Sequence, residues 1–331
     1  MKILHLPLEV GGQIAELCLQ LRALGHQAVG YNWRHNYLKY DNTLLHSDAY
    51  EMLNTLETAI TYFDIFHYHT GYTLFKDKTD IERVIHAGKK VVMHHRGNDV
   101  RIPSRAVKGQ HYFNPYVYTG DSLPEQQILS NLSYFSKHLN TAIVQDYELY
   151  DYAADYYRNV HILPRPINIE RIRPQETTAP HDLPIVVHAP TSRAFKGTED
   201  IIRITEKLRR EIPFHFILLE KVPRETTLSC MREADIIVDQ INCGMYGNVS
   251  VEGMALGKTV VCYLRPDIKA RLPKEIPIVS ANRDTLYDEL KRLLLDEDLR
   301  RRLGKQGRLY AEAWHDAKVV AKQLISIYET L

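Results

Sequence analysis

Paired cysteines, unbalanced charge and long apolar runs are all scarce in this chain of 331 residues. Its four cysteines, Cys18, Cys230, Cys243 and Cys262, are far apart and include no C-x-x-C pair. Each lies among apolar or small residues, the setting of a reduced and buried thiol, so no zinc site is expected from them. The 42 basic and 41 acidic side chains leave a formal charge of +1. No global field therefore recruits nucleic acid or an anionic bilayer, and any anionic ligand has to be held by a local site. No stretch of about 18 apolar residues occurs. The opening MKILHLPLEVGGQ carries one lysine and only a short apolar run before its glycines, which does not suit a secretory leader. These absences lead to the expectation of a cytoplasmic protein, with peripheral contact at the inner membrane face left open.

What the chain does contain is alternation. Lys2 to Leu6 reads as a strand, and after Gly11 and Gly12 the residues Ile14, Leu17, Cys18 and Leu21 share one face of a helix that stops at Gly25. Further strands are expected at Ala28 to Asn32, Ile65 to His69, Lys90 to His94, Thr141 to Val144 and His161 to Leu163. The polar segment Pro164 to Pro184, with five prolines, suits a linker. A second series follows, with strands at Ile185 to His188, Phe214 to Leu219, Ile236 to Asp239, Val260 to Tyr263 and Ile278 to Val279. Its helices are expected at Thr198 to Arg210, Thr226 to Glu233, Val249 to Leu256 and Thr285 to Leu295. The fold class is thus α/β, two doubly wound Rossmann-like domains with parallel sheets. Open sheets of this kind bind ligands at the carboxyl ends of their strands, so the expected site is a cleft between the domains. A last helix from Leu309 to Leu331 carries an apolar stripe of Trp314, Val319, Val320, Leu324, Ile327 and Tyr328.

Several strand ends carry chemistry. In HAPTSRAFKGTEDII, Arg193 and Lys196 lie between a strand and a helix, where backbone N–H groups and the helix dipole favour an anion. A planar fork of donors beside a compact charge suits a diphosphate; two solvated surface cations would give the same spacing. In CGMYGNVSVEGMALGKTVV, a loop with Gly244 and Gly247 leads into a helix near Asn248 or Val249. Glu252, in its first turn, is either a helix-dipole partner or an acceptor for a pair of ribose hydroxyls. His67, His69, His94, His95, Arg96, Asp99 and Arg101, in the runs HYHTG and MHHRGNDVR, lie at strand ends. They suit acid–base or hydroxyl-binding work, or ordinary hydrogen-bonded structural roles. No H-E-x-x-H or comparable ligand set is present, so no metal site is expected. The long aromatic and basic segment Arg101 to Gln126 either grips an acceptor or membrane face or is a surface insertion with locally packed tyrosines.

Taken in order, the glycine loop at Gly11 and Gly12, DIFHYHTG, HRGNDVR, ILPRPINIERIRP, HAPTSRAFKG, GNVSVEGMALGKTVV and AEAWHDAKVVAKQLISIYETL resemble the GT-B-fold retaining glycosyltransferases of family 4. The resemblance covers nearly the whole chain. It implies an acceptor-side domain over 1–165 completed by a helix over 315–331 that crosses back, and a nucleotide-sugar domain over 166–314. It further implies that Arg193 and Lys196 neutralise the donor diphosphate, that Glu252 holds the ribose, and that Gly12 and the Gly247, Asn248 and Val249 amides approach the phosphates. The family's histidine corresponds to His95 or to the place held by Arg96, with His69, Asp99 and Asn242 as further acceptor or sugar contacts. The implied reaction is metal-independent transfer from a nucleoside-diphosphate sugar, UDP-sugar first, to a glycan, lipid-linked or small-molecule acceptor, with no further cofactor and no nucleic acid partner.

One departure stands out. The first of the family's paired glutamates falls at Gly244, which has no side chain to meet a sugar hydroxyl. Asp239, Gln240 or Asn242 takes over the contact, or the donor differs, or turnover is lost. An epimerase of the same fold and a non-catalytic partner subunit are the two alternatives that follow.

Overall fold

A computed structural model describes residues 1–34, 44–108, 114–174, 182–272 and 275–331. Parts of the expected linker and of the Arg101 to Gln126 segment therefore lie outside the described residues. The chain divides into two compact units. The first comprises Met1–Arg105, Ser122–Pro166 and Ala317–Leu331, and the second Ala106–Asp121 and Ile167–Asp316.

The first unit is built on seven parallel strands, β1 (Lys2–Leu6), β2 (Gln27–Asn32), β3 (Leu45–His46), β4 (Ile65–His69), β5 (Lys90–His95), β6 (Thr141–Val144) and β7 (Asn159–Ile162), in the order β3-β2-β1-β4-β5-β6-β7. The order reverses between β1 and β4, the place where a doubly wound sheet opens a ligand crevice. Parallel strands are covered on both faces, which is why Ile3, Ile65, Val92 and Ile143 are buried. The helix Ala317–Thr330 lays Val320, Leu324, Ile327 and Tyr328 onto this core beside Ile14, Leu17 and Leu21 of the helix Gln13–Ala23.

The second unit has five parallel strands, β8 (Ile185–His188), β9 (His215–Leu218), β10 (Ile236–Val238), β11 (Thr259–Val261) and β12 (Ile278–Val279), ordered β12-β11-β10-β8-β9. Its reversal falls between β8 and β10. The small residues of the helix Asn248–Ala255 have a packing reason: a Cβ on Gly253 would lie 2.9 Å from both Ile237 and Val260, beneath the helix on β10 and β11. On the other side the helix Glu297–Trp314 brings Gly307 against Met254, and its Gly304 meets the backbone of Gly257.

Two expectations need correction. The single helix expected over Leu309 to Leu331 is two, Glu297–Trp314 and Ala317–Thr330. The break lies at His315 and Asp316, where Ile167 donates its N–H to the His315 carbonyl at 2.7 Å and bridges to Asp316; Trp314 thereby leaves the apolar stripe. The second concerns Ala106–Asp121, which belongs to the second unit and not to a first domain running to 165. Asn114 gives its amide to the carbonyls of Asn242 (2.9 Å) and Cys243 (2.8 Å), and Tyr116 gives its hydroxyl to Asp284 at 2.6 Å.

A methyl group on Gly304 would overlap the Gly257 carbonyl oxygen, which is backbone and cannot rotate away. Gly304→Ala is expected to destabilise the second unit by about 1 to 3 kcal/mol, read as a lower denaturant midpoint. An unchanged midpoint would refute this helix–turn packing.

Candidate functional site

The residues singled out from the sequence fall into two groups, each at the reversal point of its own sheet. In the second unit, Ser192 caps the short helix Arg193–Lys196 that follows β8. Arg193 is half exposed and gives Nε to Glu199 (2.8 Å) and Nη1 to Glu220 (2.7 Å). Lys196 is buried, with Nζ 2.5 Å from Asp239 Oδ1. Asp239, just past β10, also accepts the Gly247 N–H (2.9 Å), the Ser250 N–H (3.3 Å) and the Ser250 hydroxyl (2.6 Å) on Oδ2. Burial works to raise the Asp239 carboxyl, but the Lys196 ammonium and these donors hold it below the usual carboxylate range. Asp239 thus does two things: it fixes the Lys196 head, and it supplies the anionic cap that the helix Asn248–Ala255 lacks at Gly247. The Lys196 ammonium has three protons and this bond uses one, leaving donors for a ligand oxygen.

Glu252 is buried on the same helix and accepts Arg224 Nε at 2.8 Å. Burial raises its pKa, against the pull of Arg224. Asn242 gives its amide to the Ala194 carbonyl (3.0 Å) and accepts from Arg283 (3.3 Å). The structure therefore gathers Lys196, Gly247, Asn248 and Val249 around one helix N-terminus, whereas Glu252 lies one turn further along because the helix begins at Asn248, and Asn242 joins the adjoining helix of Arg193 and Lys196 through the Ala194 carbonyl.

Gly244 has a backbone reason for being glycine. Its φ is +87°, and a Cβ there would sit 3.1 Å from Asn114 Nδ2 and 3.3 Å from Arg265 Cβ. Its carbonyl accepts the Arg265 N–H at 2.8 Å. Of the proposed substitutes for the missing glutamate, Asp239 is committed to Lys196 and the helix, and Gln240 gives its amide to the Met245 carbonyl.

In the first unit, Gly11 and Gly12 adopt left-handed φ of 72° and 75° between β1 and the helix Gln13–Ala23. The start of that helix already holds an anion. The buried Glu9 carboxylate accepts Ile14 N–H (3.2 Å) and Ala15 N–H (3.0 Å), with its pKa raised by burial. Past β5, Asp99 accepts the Arg96 and Gly97 N–H groups and the His95 ring at 2.8 Å. Burial works to raise the Asp99 carboxyl, and these donors bring it below its ordinary value. His95 is buried, with Nδ1 on Asp99 and Nε2 at 2.8 Å from the Tyr157 hydroxyl. Both ring nitrogens are taken, so His95 fixes the turn that carries Arg96. Arg96 in turn donates Nε (3.2 Å) and Nη2 (3.0 Å) to His69 Nδ1 and Nη1 to Gln13.

Five features here were not singled out. Glu9, Arg224 and Ser250 carry no motif of their own. Thr70, at the end of β4, holds φ of +61°, an outlier for a β-branched residue of the kind stored at ligand sites; only its place in HYHTG pointed to it. His5, His67 and His69 bring ring nitrogens within 4.8 Å of one another, close enough for a metal ion. The rings of His67 and His69 are stacked, however, with centroids 4.3 Å apart and planes 7° from parallel, so they do not converge on a common point. A cavity of about 610 Å³ in the second unit is lined by Lys269, Ile276, Arg292, Tyr310 and Trp314, among others, and by none of the residues above.

Burial pushes His5 down to about 3 from its ordinary 6.5, holds His67, His69 and His94 well below 6.5, and takes His188 of the second unit to about 4. In the unfolded chain these rings titrate near 6.5. Between that pH and about 4 the unfolded chain binds more protons, so the stability these neutral rings confer is complete above about 6.5 and is lost as pH falls. Thermal midpoints from pH 7.5 to 4.5 are expected to drop with uptake of more than one proton on unfolding; a flat profile would contradict the buried neutral rings. Gly244→Glu is expected to lower stability by about 1 to 3 kcal/mol through its backbone strain. A variant as stable as the native chain by denaturant titration would show that the 244 loop tolerates the family's glutamate.

No family model and no curated protein sequence matches the chain. Solved structures match it in shape. Sucrose-phosphate synthase from Thermosynechococcus elongatus aligns with a TM-score of 0.67 at 15% identity, over 100% of this chain and 99% of its own. A glycosyltransferase from Rickettsia africae gives 0.69 at 13%, over 99% and 97%. HepE from Anabaena, solved in complex with UDP-glucose, gives 0.70 at 12%, over the full length of both chains. The likeness is one of fold: an α/β chain with two parallel sheets, as in GT-B glycosyltransferases.

Proposed function

We propose that this chain is a glycosyltransferase that moves a sugar from a nucleoside-diphosphate sugar, UDP-sugar first, to a glycan, lipid-linked or small-molecule acceptor. One observation carries the reading. At the reversal point of the second sheet, Lys196 and the N-terminus of the helix Asn248–Ala255 are held together by a single buried carboxylate, Asp239, with Arg193 three residues from Lys196. Cations and oriented amides fixed before the reaction stabilise charge that develops on a leaving diphosphate, at no cost of reorganisation. Lys196 would meet a phosphate oxygen with its remaining protons, and Arg193 would exchange its exposed carboxylate partners for the phosphate oxygens. Glu252 would accept the ribose hydroxyls once Arg224 is displaced or shared.

The first unit would contribute Gly12 to the donor side and Arg96, His69 and Asp99 to the sugar or acceptor, with Arg96 acting in place of the family's histidine. Retention of anomeric configuration and independence of metal rest on the sequence resemblance. Metal independence is also supported by the presence of two cations where a divalent ion would otherwise neutralise the diphosphate. A non-catalytic nucleotide-binding role is the second reading, favoured by the occupied ring of His95 and by Gly244.

Arg193 is the informative position, because its exposure separates function from folding. Arg193→Ala is expected to change stability by no more than about 0.5 kcal/mol and to lower kcat/KM for sugar transfer by about 100-fold. Transfer from UDP-, GDP- and ADP-sugars, measured with EDTA present, checks both the activity and its metal independence. Native activity in Arg193→Ala, or loss of activity on chelation that a divalent ion restores, would sink the mechanism. UDP binding by calorimetry without turnover of any donor would establish the second reading instead.

A further inference from the structure

Four of the buried histidines of the first unit, His5 on β1, His67 and His69 on β4 and His94 on β5, lie together with Tyr328 of the helix Ala317–Thr330. All five side chains are almost wholly buried. They form one unbranched series of contacts. Arg96 meets His69 Nδ1; His69 Nε2 lies 3.0 Å from His5 Nδ1; His5 Nε2 lies 3.3 Å from the Tyr328 oxygen. The Tyr328 oxygen lies 2.6 Å from His67 Nδ1, and His67 Nε2 lies 3.2 Å from His94 Nδ1. The far nitrogen, His94 Nε2, has no hydrogen-bond partner among the described residues.

The direction of every bond in this series follows from one end. A guanidinium donates and cannot accept, so His69 Nδ1 carries a lone pair and the His69 proton is on Nε2. That proton points at His5 Nδ1, which must accept, placing the His5 proton on Nε2 and towards Tyr328. Having accepted there, Tyr328 gives its single proton to His67 Nδ1. His67 then donates from Nε2 to His94 Nδ1, and the chain ends in an N–H. Burial keeps the rings neutral, so each has one donor and one acceptor to spend.

We propose that His5, His67, His94 and Tyr328 are positioning residues for Arg96, forming a one-way hydrogen-bond chain that keeps the His69 Nδ1 lone pair facing the guanidinium. The chain would hold Arg96 at the end of β5 with its remaining N–H groups directed by Gln13, and would link that residue to the helix Ala317–Thr330. Its bearing on sugar transfer rests on Arg96 acting at the sugar or acceptor, as proposed above; the bonding pattern does not.

The test is tautomer assignment by long-range proton–nitrogen NMR on the full chain with ¹⁵N-histidine, at neutral pH. Four rings, His5, His67, His69 and His94, are expected in the Nε2–H form. Arg96→Met removes the group that sets the direction, so the His94 signals are expected to change although His94 is at the opposite end. In a Tyr328→Phe background, which cuts the chain at its middle, Arg96→Met should leave His94 unmoved and affect only His69 and His5. Any of the four rings in the Nδ1–H form in the native protein, or His94 signals indifferent to Arg96, would overturn the proposal. So would a native pattern that is obtained only after chelation, which would mean that the three clustered rings hold an ion. Tyr328→Phe alone is expected to lower kcat/KM for transfer about tenfold with UDP affinity unchanged. If the tautomer pattern holds and no donor is turned over by the native chain, the positioning chain stands and the transferase reading falls.

Discussion

A charge removed from water has to be answered by opposite charge or by several hydrogen bonds, because its desolvation costs several kcal/mol. Much of this molecule's functional architecture is an answer to that demand. Asp239 could not be buried without Lys196 and the amides of 247 and 250, and those groups could not be held so close together without Asp239. The same reciprocity binds Arg101 to Glu148 through two bonds of 2.7 Å inside the first unit. It also places Glu9 beneath the first turn of the helix Gln13–Ala23. The two helix starts that follow glycine loops therefore each contain an internal carboxylate. What distinguishes them is the cation: Asp239 comes with a lysine that has protons to spare, whereas Glu9 is satisfied by backbone alone, apart from the more distant field of Arg96.

Parallel sheets were legible because their strands must be apolar on both faces, and the runs at Ile3, Ile65, Val92, Ile143, Val186, Ile236 and Val260 say so directly. The reversal points were legible too, since glycines and charged residues cluster where strands end. Orientation was not. His95 and Arg96 are neighbours in HHRGND, and nothing in their spacing says that the pleat turns the first inward to Tyr157 while the second leaves the strand. Position 244 was legible as a departure from a pattern but not as a backbone requirement, because a positive φ and the approach of Asn114 from 130 residues earlier have no local signature.

The helix break at His315 was hidden from the helical period for a related reason, and only the family resemblance put a boundary at 315. Residues 309–331 have a continuous helical period, and only a distant strand-like pairing with Ile167 ends one helix and redirects the chain. Likewise, the histidines of β1, β4 and β5 read one by one as ordinary polar residues. Their meaning depends on register: His5 lies opposite His67, and His69 opposite His94, so the sheet itself brings the rings together. An alternation rule that counts apolar positions passes over a core made of imidazoles.

The return of Ala317–Leu331 to the first unit also bears on how the protein is made. Ile3, Leu17 and Ile65 are synthesised early, but the surface they share is completed by Val320, Leu324 and Tyr328, which leave the ribosome only after every residue of the second unit. The amino-terminal sheet stays partly uncovered until that synthesis ends, whereas an earlier domain that is continuous in sequence can complete its core first. Chaperone engagement during translation would accordingly centre on the nascent amino-terminal half.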